Sequence, residues 1–348
     1  MANSPDDLQV IVPNLHRRYS GVTATNRMVA PRLARLFRAA WFGSDAPEGI
    51  ARLSGADLLK LWRRKAPVIW HARRNNEMII GLALRGLGWP FKLIFTSAAQ
   101  RHKTWITRFL ISRMDGVIAT NAASASYLKR PATVVHHGVD TTVYCPPEDR
   151  AAAFASTGLP GRYAIGCFGR VRAQKGTDLF VEAMCALLPK YPDYTAVIVG
   201  AVDDRGFADA LQACARGAGL ADRIRMLGER PIAELPPWYQ RVSIYAFTSR
   251  NEGFGLTLIE AMAAGAALVA TRAGAAETVV VDGETGVLVP TGDAAALAAA
   301  LEPLMRDPER ARAMGEKARA RVLAEFSIEV EAERIAAVYR KVLGSASP

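Results

Sequence analysis

The fold class is indicated most directly by one stretch of the sequence, "YAIGCFGRVRAQKGTDLFVEAMCALLPKYPDYTAVIVG" (163–200). Its pattern predicts a strand, a helix and a second strand in succession. The apolar runs begin at Tyr163 and Tyr194, and the segment 177–191 between them has the spacing of a helix. Strands that alternate with helices of this length form parallel sheets covered on both faces. The stretch therefore predicts an α/β fold.

The same alternation runs through both halves of the chain. The segment "GVDTTVYCPPEDR" (138–150) has a turn, paired prolines and charged residues, which is typical of a linker. We predict two Rossmann-like domains that face each other across a cleft, residues 1–150 and residues 151–326. A final amphipathic helix, about 327–343, is expected to pack back on the first domain. Other predicted elements are the helix "MVAPRLARLFRAAW" (28–41) and the strands "LQVIVPN" (8–14), "PVIWHA" (67–72), "FKLIFTS" (91–97), "GVIATN" (116–121), "RIRMLG" (223–228), "VSIYAFTS" (242–249), "ALVAT" (267–271) and "TGVLVP" (285–290).

Composition places the chain among folded proteins of a reducing compartment. Half of its 348 residues are hydrophobic, which argues against disorder. The first residues carry acids and no basic region, so a secretory signal is not expected, and no run of about 18 apolar residues predicts a membrane span. The four cysteines are scattered without a CxxC pair, so we expect neither a disulfide framework nor a zinc site.

Charge is distributed unevenly. Residues 1–150 hold 22 Lys/Arg against 10 Asp/Glu, a balance of +12, whereas residues 151–348 hold 22 against 23, a balance of −1. A strongly basic half indicates an acidic partner. The candidates at this point are nucleic acid, an anionic membrane surface and a phosphorylated substrate.

The stretch "NEGFGLTLIEAMAAG" (251–265) places Glu252 and Glu260 eight positions apart around two glycines. Good helix formers from Leu256 to Ala264, followed by Gly265, predict a helix that begins directly after the glycines. Glycines let a ligand approach the backbone, and a helix N-terminus offers free N–H groups. The stretch therefore predicts a site for phosphate or a polar sugar.

A second loop, "GRVRAQKG" (169–176), follows a predicted strand and carries Arg170 and Lys175. It lacks the Walker pattern, and neither half opens with a Gly-x-Gly-x-x-Gly turn, so NAD or FAD binding has little support. In an open α/β sheet, ligands bind at the carboxyl ends of the strands. Two cations there suit a diphosphate. Because the chain has no Asp-x-Asp pair, we expect these cations to neutralise the diphosphate without a metal ion.

Four motifs in this order resemble the retaining glycosyltransferases of family 4, the group 1 transferases with the GT-B fold. They are "GRVRAQKG", "SRNEGFGLTLIEAMAAG", "AGAAETV" and "DGETGVLVPTGD", and "VHHGVDTTVYCPP" is similar to the end of the family's first domain. The resemblance implies a nucleoside-diphosphate sugar bound by the second domain and an acceptor bound by the first. The basic stretch "WHARRNNEM" resembles lipopolysaccharide-core mannosyltransferases of bacteria. That closer resemblance implies a GDP-mannose donor and a lipid-linked inner-core acceptor.

The resemblance also assigns roles to residues. It implies that Arg170 and Lys175 clamp the diphosphate, that Glu260 holds the ribose hydroxyls, and that Glu252 lies close to the transferred sugar. The backbone of Gly253, Phe254, Gly255 and Leu256 would surround the sugar and phosphate. The reaction would retain the anomeric configuration by a front-face displacement, with Glu252 orienting the sugar and the leaving diphosphate helping to deprotonate the acceptor.

The first half departs from the family pattern in two places. Many relatives have two glycines after the first strand, where this chain has Ser20 and Gly21, and Gly21 is kept as a donor-binding candidate. Many relatives have a histidine at the position of Ala98. Here His102 lies four residues later, and His71 follows the strand "PVIW". Either histidine is a catalytic candidate, and a hydrogen-bonded structural role is the alternative for both.

Two basic stretches are candidate surfaces for an anionic membrane, and a core-packed helix with a solvated basic face is the alternative for each. Such a surface would make the protein a peripheral enzyme on the inner face of the cytoplasmic membrane. The rival functions are a nucleic-acid binder, which has no recognition motif to support it, and a sugar-nucleotide epimerase or phosphorylase. The two stretches are 27–41, with Arg27, Arg32, Arg35, Arg38, Leu33, Leu36, Phe37 and Trp41, and 101–114, with Arg101, Lys103, Arg108, Arg113, Trp105, Phe109 and Leu110.

Overall fold

The computed structural model describes residues 7–16, 21–62 and 64–344. Its contacts divide the chain into two compact units. The first consists of the residues up to Gly138 together with those from Ile328 onward, and the second runs from Val139 to Ser327. Of the segment 138–150, predicted as linker, Gly138 therefore belongs to the first unit and the remaining residues belong to the second.

The first unit is built on a parallel sheet whose described part has seven strands. Its order is β3-β2-β1-β4-β5-β6-β7, so the chain starts in the middle, builds one side and then returns to build the other. This is the order of a doubly wound Rossmann-like sheet. The strands are β1 Val10–Asn14, β2 Ala39–Gly43, β3 Ala51–Arg52, β4 Val68–Ala72, β5 Phe91–Ser97, β6 Gly116–Ala119 and β7 Thr133–Val134.

Helices cover both faces of this sheet. Leu58, Met78 and Leu110 lie in one buried cluster with the sheet, so the helices that carry them share a face. The opposite face is covered by the first helix, through Val29 and Leu33. The helices are α1 Gly21–Leu36, α2 Gly55–Lys60, α3 Asn75–Gly86, α4 Trp105–Ser112 and α5 Ala122–Ser126.

The prediction of one helix over 28–41 is wrong at its C-terminal end. Helix α1 ends at Leu36, and Ala39, Ala40 and Trp41 form β2. These three consecutive side chains are all buried, as expected for a parallel strand covered on both faces. Alanine and arginine are good helix formers, so the local sequence gave no sign of the strand.

The second unit repeats the plan with six described strands in the order β10-β9-β8-β11-β12-β13. Each adjacent pair is parallel. The predicted α/β fold with two parallel-sheet Rossmann-like domains is thus confirmed. The strands are β8 Tyr163–Phe168, β9 Tyr194–Val199, β10 Ile224–Met226, β11 Val242–Phe247, β12 Ala267–Thr271 and β13 Val287–Val289.

The helices of the second unit lie on both faces of this sheet, which separates its apolar side chains into two clusters. A short 3-10 turn, Ala173–Lys175, precedes α7 and shapes the loop after β8. The helices are α6 Arg150–Ala155, α7 Thr177–Leu187, α8 Arg205–Gly217, α9 Leu235–Arg241, α10 Leu256–Ala263, α11 Ala276–Val279, α12 Ala294–Arg306 and α13 Pro308–Glu325.

The chain ends in the first unit with α14, Ile328–Leu343. This helix packs beside α1, where the Tyr339 ring meets the Phe37 ring edge-on with centroids 5.5 Å apart. Ile328, Ile335 and Tyr339 are buried in the cluster that also contains Val10 and Val29. The apolar stripe of α14 therefore completes the core on that face of the first sheet.

Candidate functional site

The site in the second unit lies where the strand order reverses. Strands β8 and β11 are neighbours, but the chain builds outward from β8 on one side and from β11 on the other. The helices that follow them, α7 and α10, pack on opposite faces of the sheet, and the crevice at the carboxyl ends of such a strand pair is the usual ligand position. These are the two loops that carry Arg170, Lys175 and Glu252.

The two loops are fastened to each other by backbone and side-chain contacts. The Thr248 hydroxyl donates to the Lys175 carbonyl over 2.8 Å, and the Arg250 backbone N–H donates to the Gln174 carbonyl over 2.9 Å. Gly176 has φ +66°, and a Cβ there would lie 2.0 Å from the Thr248 carbonyl oxygen. Only glycine allows this approach, so the loop after β8 is held directly against the loop after β11.

A bidentate ion pair between Arg250 and Asp178 also stabilises the contact between the two loops. The Arg250 guanidinium donates to both carboxylate oxygens of Asp178, over 2.8 and 2.7 Å, and also to the Ala173 carbonyl. This pair holds the pKa of the partly buried Asp178 below its ordinary value, against the opposing effect of burial. Sequence reasoning missed Arg250 and Asp178, because one follows β11, the other opens α7, and no local pattern connects them.

Lys175 and Glu252 form an ion pair between the two loops. Their side chains are 22% and 20% exposed, so the pair is partly shielded from solvent. Glu252 also accepts from the Gly253 backbone N–H over 3.2 Å. The predicted sugar-binding acid and one predicted diphosphate cation are thus brought into contact.

Arg170 occupies the outer part of the loop after β8. Its side chain is 61% exposed, and its guanidinium lies 3.5 Å from an Asp203 carboxylate oxygen that Arg172 approaches equally closely. Such an exposed pair contributes little to stability. Little free energy is therefore lost if the Arg170 guanidinium leaves Asp203 for an anionic ligand.

Glu260 lies in the second turn of α10 and accepts a 2.6 Å hydrogen bond from the hydroxyl of Tyr239 on α9. Burial raises the pKa of Glu260 above its ordinary value, while the Tyr239 hydrogen bond and the charge of Lys175 act in the opposite direction. The positive charge of Lys175 thus lowers the pKa of Glu260, and the same lysine forms an ion pair with Glu252. Sequence reasoning missed Tyr239, whose buried ring fixes the orientation of the Glu260 carboxylate.

The amino end of α10 is open to a ligand. The predicted helix over Leu256–Ala264 is confirmed as α10, and its N-cap Gly255 has φ +97° and supplies no side-chain cap. Its first N–H groups thus lack the side-chain partner that a Ser or Asp would supply. The Phe254 ring is buried in the core, so Phe254 and Gly253 offer backbone atoms rather than side chains near the amino end of α10.

The carboxyl end of α10 is capped by two arginines. Arg150 donates to the Ala264 and Gly265 carbonyls over 2.6 and 3.1 Å, and Arg319 donates to the Ala263 carbonyl. Burial lowers the pKa of Arg150 to about 10. These cations compensate the negative end of the helix dipole, while the positive end faces the crevice.

The histidine candidates of the first unit differ in their surroundings. His71 on β4 is 1% exposed, and its Nδ1 and Nε2 atoms contact the Tyr339 hydroxyl at 2.6 Å and the Thr96 hydroxyl at 2.7 Å. Burial, and secondarily the charge of Arg73, lower its pKa well below the ordinary value, so the ring is neutral. His102 is exposed after β5 and meets the Tyr127 ring edge-on at 5.1 Å.

Gly21 is exposed at the first described residue of α1, and a Cβ there would meet no atom of the described part of the chain within 4 Å. Close packing within the unit therefore does not require glycine at this position. Ser20, which belongs to the same predicted loop, lies outside the described residues. In the ranges 7–16, 21–62 and 64–344, no group of His, Cys, Asp and Glu side chains is arranged to hold a metal ion.

Comparisons with known proteins agree with this geometry. The family model described as "Glycosyl transferases group 1" matches residues 149–321. The lipopolysaccharide core biosynthesis mannosyltransferase LpcC of Rhizobium leguminosarum bv. viciae is 50% identical over 345 residues, which are 97% of each chain. The lipopolysaccharide core biosynthesis mannosyltransferase LpsB of Rhizobium meliloti (strain 1021) is 42% identical over 97% of this chain and 98% of its own.

Solved structures extend the comparison to the fold. The C-terminal domain of LpcC from Francisella tularensis is 38% identical, with a TM-score of 0.54, over 55% of this chain and all of its own. Anabaena Alr3699/HepE, crystallised with UDP and glucose, has a TM-score of 0.80 over 96% of this chain and all of its own. Since that protein is only 19% identical, its similarity concerns the fold alone.

Proposed function

The chain belongs to the group 1 glycosyltransferases, and from that premise we propose that it transfers mannose from GDP-mannose to a lipid-linked lipopolysaccharide inner-core acceptor, with retention of configuration. The observation that carries the proposal is the contact between Lys175 and Glu252 at the switch point of the second sheet. The proposal of a mannose donor and a lipopolysaccharide acceptor is supported by the similarity to the two Rhizobium lipopolysaccharide core mannosyltransferases.

In the proposed donor complex, the diphosphate lies against the open amino end of α10 and between Arg170 and Lys175. Each N–H group and each cation there stabilises negative charge, and the charge on the diphosphate increases as the glycosidic bond breaks. Lys175 then exchanges its carboxylate partner for a phosphate oxygen. These two cations would perform the neutralisation for which other transferases use a metal ion.

Release of Lys175 frees Glu252 to accept hydrogen bonds from hydroxyls of the transferred sugar. Glu260, oriented by Tyr239, would accept hydrogen bonds from the ribose hydroxyls. The front-face displacement then needs no protein nucleophile, because the leaving diphosphate takes the proton of the attacking acceptor hydroxyl. His102 is proposed at the acceptor side of the reaction, and the placement of His71 favours the structural role over a catalytic one.

Peripheral binding to the cytoplasmic face of an anionic membrane is the second part of the proposal. The observation behind it is a set of exposed apolar side chains on the face of the first unit that is covered by α2, α3 and α4. Trp105 is 71% exposed, and the basic residues Arg101, Arg108 and Arg113 accompany it. The exposed set comprises Leu59, Trp62, Ile79, Ile80, Leu87, Trp105, Ile106 and Phe109.

The two basic stretches differ in this respect. In 27–41, Leu33, Phe37 and Trp41 are buried in the core and Leu36 is exposed, which favours the alternative of a core-packed helix with a solvated basic face. In 101–114, Leu110 faces the core but Trp105 and Phe109 do not. Among the described residues, no helix is both long enough and apolar enough to cross a membrane.

The test of the transferase proposal combines donor and acceptor. We expect GDP-mannose to protect the protein against thermal unfolding more than UDP-glucose at equal concentration, because ligand affinity for the native state raises the unfolding midpoint. Addition of an inner-core lipid acceptor should then release GDP. Protection by another nucleotide sugar alone would assign a different donor. GDP release without any acceptor would indicate hydrolysis of the donor, and conversion of the donor into another nucleotide sugar would favour an epimerase.

A further inference from the structure

A small basic pocket lies in the first unit between α4 and the end of α5. It has a volume of about 240 Å³, and four of its lining residues are cations. No carboxylate lines it. The residues that bear on its chemistry are Lys103, Arg108, Ser112, Tyr127, Lys129 and Arg130.

The positive charge of this pocket is not neutralised by the part of the chain that the structure describes. Lys103 donates to the Ala99 carbonyl over 2.9 Å, and Arg130 donates to the Ile111 and Met114 carbonyls, each over 2.9 Å. These acceptors are neutral. Among the described residues, neither Arg108 nor Lys129 contacts a carboxylate. The pocket is therefore a concentration of cations without a counter-ion.

Burial of Lys103 also favours the binding of an anion in the pocket. It lowers the pKa of Lys103 below its ordinary value, and the nearby charge of Arg101 lowers it further. A partly buried ammonium group beside other cations is destabilised, and a bound anion would relieve both effects. Phosphate suits the pocket because it is compact, can carry two charges and offers three strong acceptor oxygens.

The position of the pocket indicates where the anion comes from. Arg108 stands on α4 directly before Phe109 and three residues after Trp105, both of which are exposed. When these aromatic side chains enter a membrane interface, the neighbouring cations lie at the level of the head groups. We propose that this pocket binds a phosphate monoester on a lipid headgroup; the inference rests on the membrane docking proposed above and makes it specific for one headgroup chemistry.

The test compares vesicles of equal surface charge. Vesicles made of a neutral lipid would receive either phosphatidic acid, which carries a phosphate monoester, or phosphatidylglycerol, which carries a diester. The amounts of the two anionic lipids would be chosen to give equal surface charge. We expect the protein to bind the monoester vesicles about tenfold more tightly, which corresponds to one additional charge-assisted hydrogen bond. Equal binding to both vesicle types would overturn the proposal, because uniform electrostatic attraction depends only on charge.

Two double variants with the same loss of charge locate the effect. Arg108→Gln with Lys129→Gln removes cations of the pocket, whereas Lys65→Gln with Arg113→Gln removes exposed cations of the first unit that do not line it. The pocket variant should lose the preference for the monoester, and the control should keep it while binding all anionic vesicles more weakly. Loss of the preference in both variants, or in neither, would contradict the assignment to this pocket.

A soluble competitor and a donor measurement complete the test. Glycerol phosphate should compete only weakly with monoester vesicles, because it lacks the interface that Trp105 and Phe109 enter. Full competition at equal phosphate concentration would assign the pocket to a soluble phosphate and overturn the lipid assignment. Protection by GDP-mannose, measured without vesicles, reports the transferase function separately, so failure of either proposal is recognised independently.

Discussion

Lys175 and Glu252 are 77 positions apart in the sequence, yet their side chains form an ion pair between the loops that follow β8 and β11. The pair exists because β8 and β11 are neighbours at the reversal point of the sheet, and because Gly176 lets the two loops touch. In the proposed donor complex, a phosphate would replace Glu252 as the partner of Lys175, and sugar hydroxyls would replace Lys175 as the partner of Glu252.

Replacing Lys175 by alanine should weaken binding of the donor diphosphate by about 1.5–3 kcal/mol, the scale of a hydrogen bond to a charged group. Arg170→Ala should have a similar effect. Calorimetric titration with GDP would measure it. Lys190→Ala removes an exposed lysine that pairs with Glu302, and this control should bind GDP normally. Unchanged affinity in both loop variants would remove these cations from the diphosphate site.

Substitutions of Glu252 and Glu260 should affect different kinetic steps. Glu252→Gln should chiefly lower kcat with intact nucleotide affinity, and Glu260→Gln should chiefly weaken nucleotide binding. Tyr239→Phe should weaken nucleotide binding by about 1 kcal/mol, because the Glu260 carboxylate loses the hydroxyl that orients it. Tyr245→Phe removes another buried hydroxyl, one that contacts the Phe168 backbone, and serves as the matched control. Equal effects of the two tyrosine variants would indicate a general loss of stability.

Removal of divalent metal should leave the reaction intact. The reason is that Arg170, Lys175 and the amino end of α10 supply the positive charge that the departing diphosphate needs. Initial rates in EDTA and in excess Mg²⁺ should therefore agree. A strict requirement for Mg²⁺ or Mn²⁺ would show that these groups are insufficient for neutralisation.

Burial of neutral His71 should make stability depend on pH. Its pKa is well below 6.5 in the folded state, so below about pH 6.5 the unfolded chain binds a proton that the native state does not. The free energy of unfolding should fall by up to about 1.4 kcal/mol for each pH unit below 6.5, until the folded pKa is reached. Denaturant titrations at pH 7.5 and 5.5 would measure this slope, which His71→Gln should lack. An NMR titration in which the ring protonates near its ordinary pKa would contradict the assignment.

The aromatic residues of α4 should determine membrane binding. Changing Trp105 and Phe109 to serine should reduce flotation with anionic vesicles several-fold, because their exposed apolar area no longer enters the interface. High salt should release the wild-type protein, since the accompanying cations act through screened electrostatics. Ile232→Ser with Leu323→Ser removes exposed apolar side chains of the second unit and should leave flotation unchanged. Equal binding to neutral and anionic vesicles would favour a soluble acceptor.

The local sequence was sufficient to identify most central strands. The runs that became β4, β5, β8, β9, β11 and β12 are mostly apolar, because both faces of a parallel sheet are buried. It failed at β2, where Ala39 and Ala40 continue the composition of α1. Propensity is a weak local preference, and burial against the rest of the sheet outweighed it.

Sequence patterns were sufficient to predict the α/β class, the helix α10 that follows the glycines, and the motif residues Arg170, Lys175, Glu252 and Glu260. The helix and the motif residues follow from short local patterns, and the α/β class follows from the alternation of predicted strands and helices along the chain. Only the tertiary structure decided that Lys175 meets Glu252, that Tyr239 orients Glu260, and that His71 is buried with both ring nitrogens bonded. The reason is that strand order and helix packing bring together residues far apart in the chain, and the free energy of those contacts is not encoded in any local pattern.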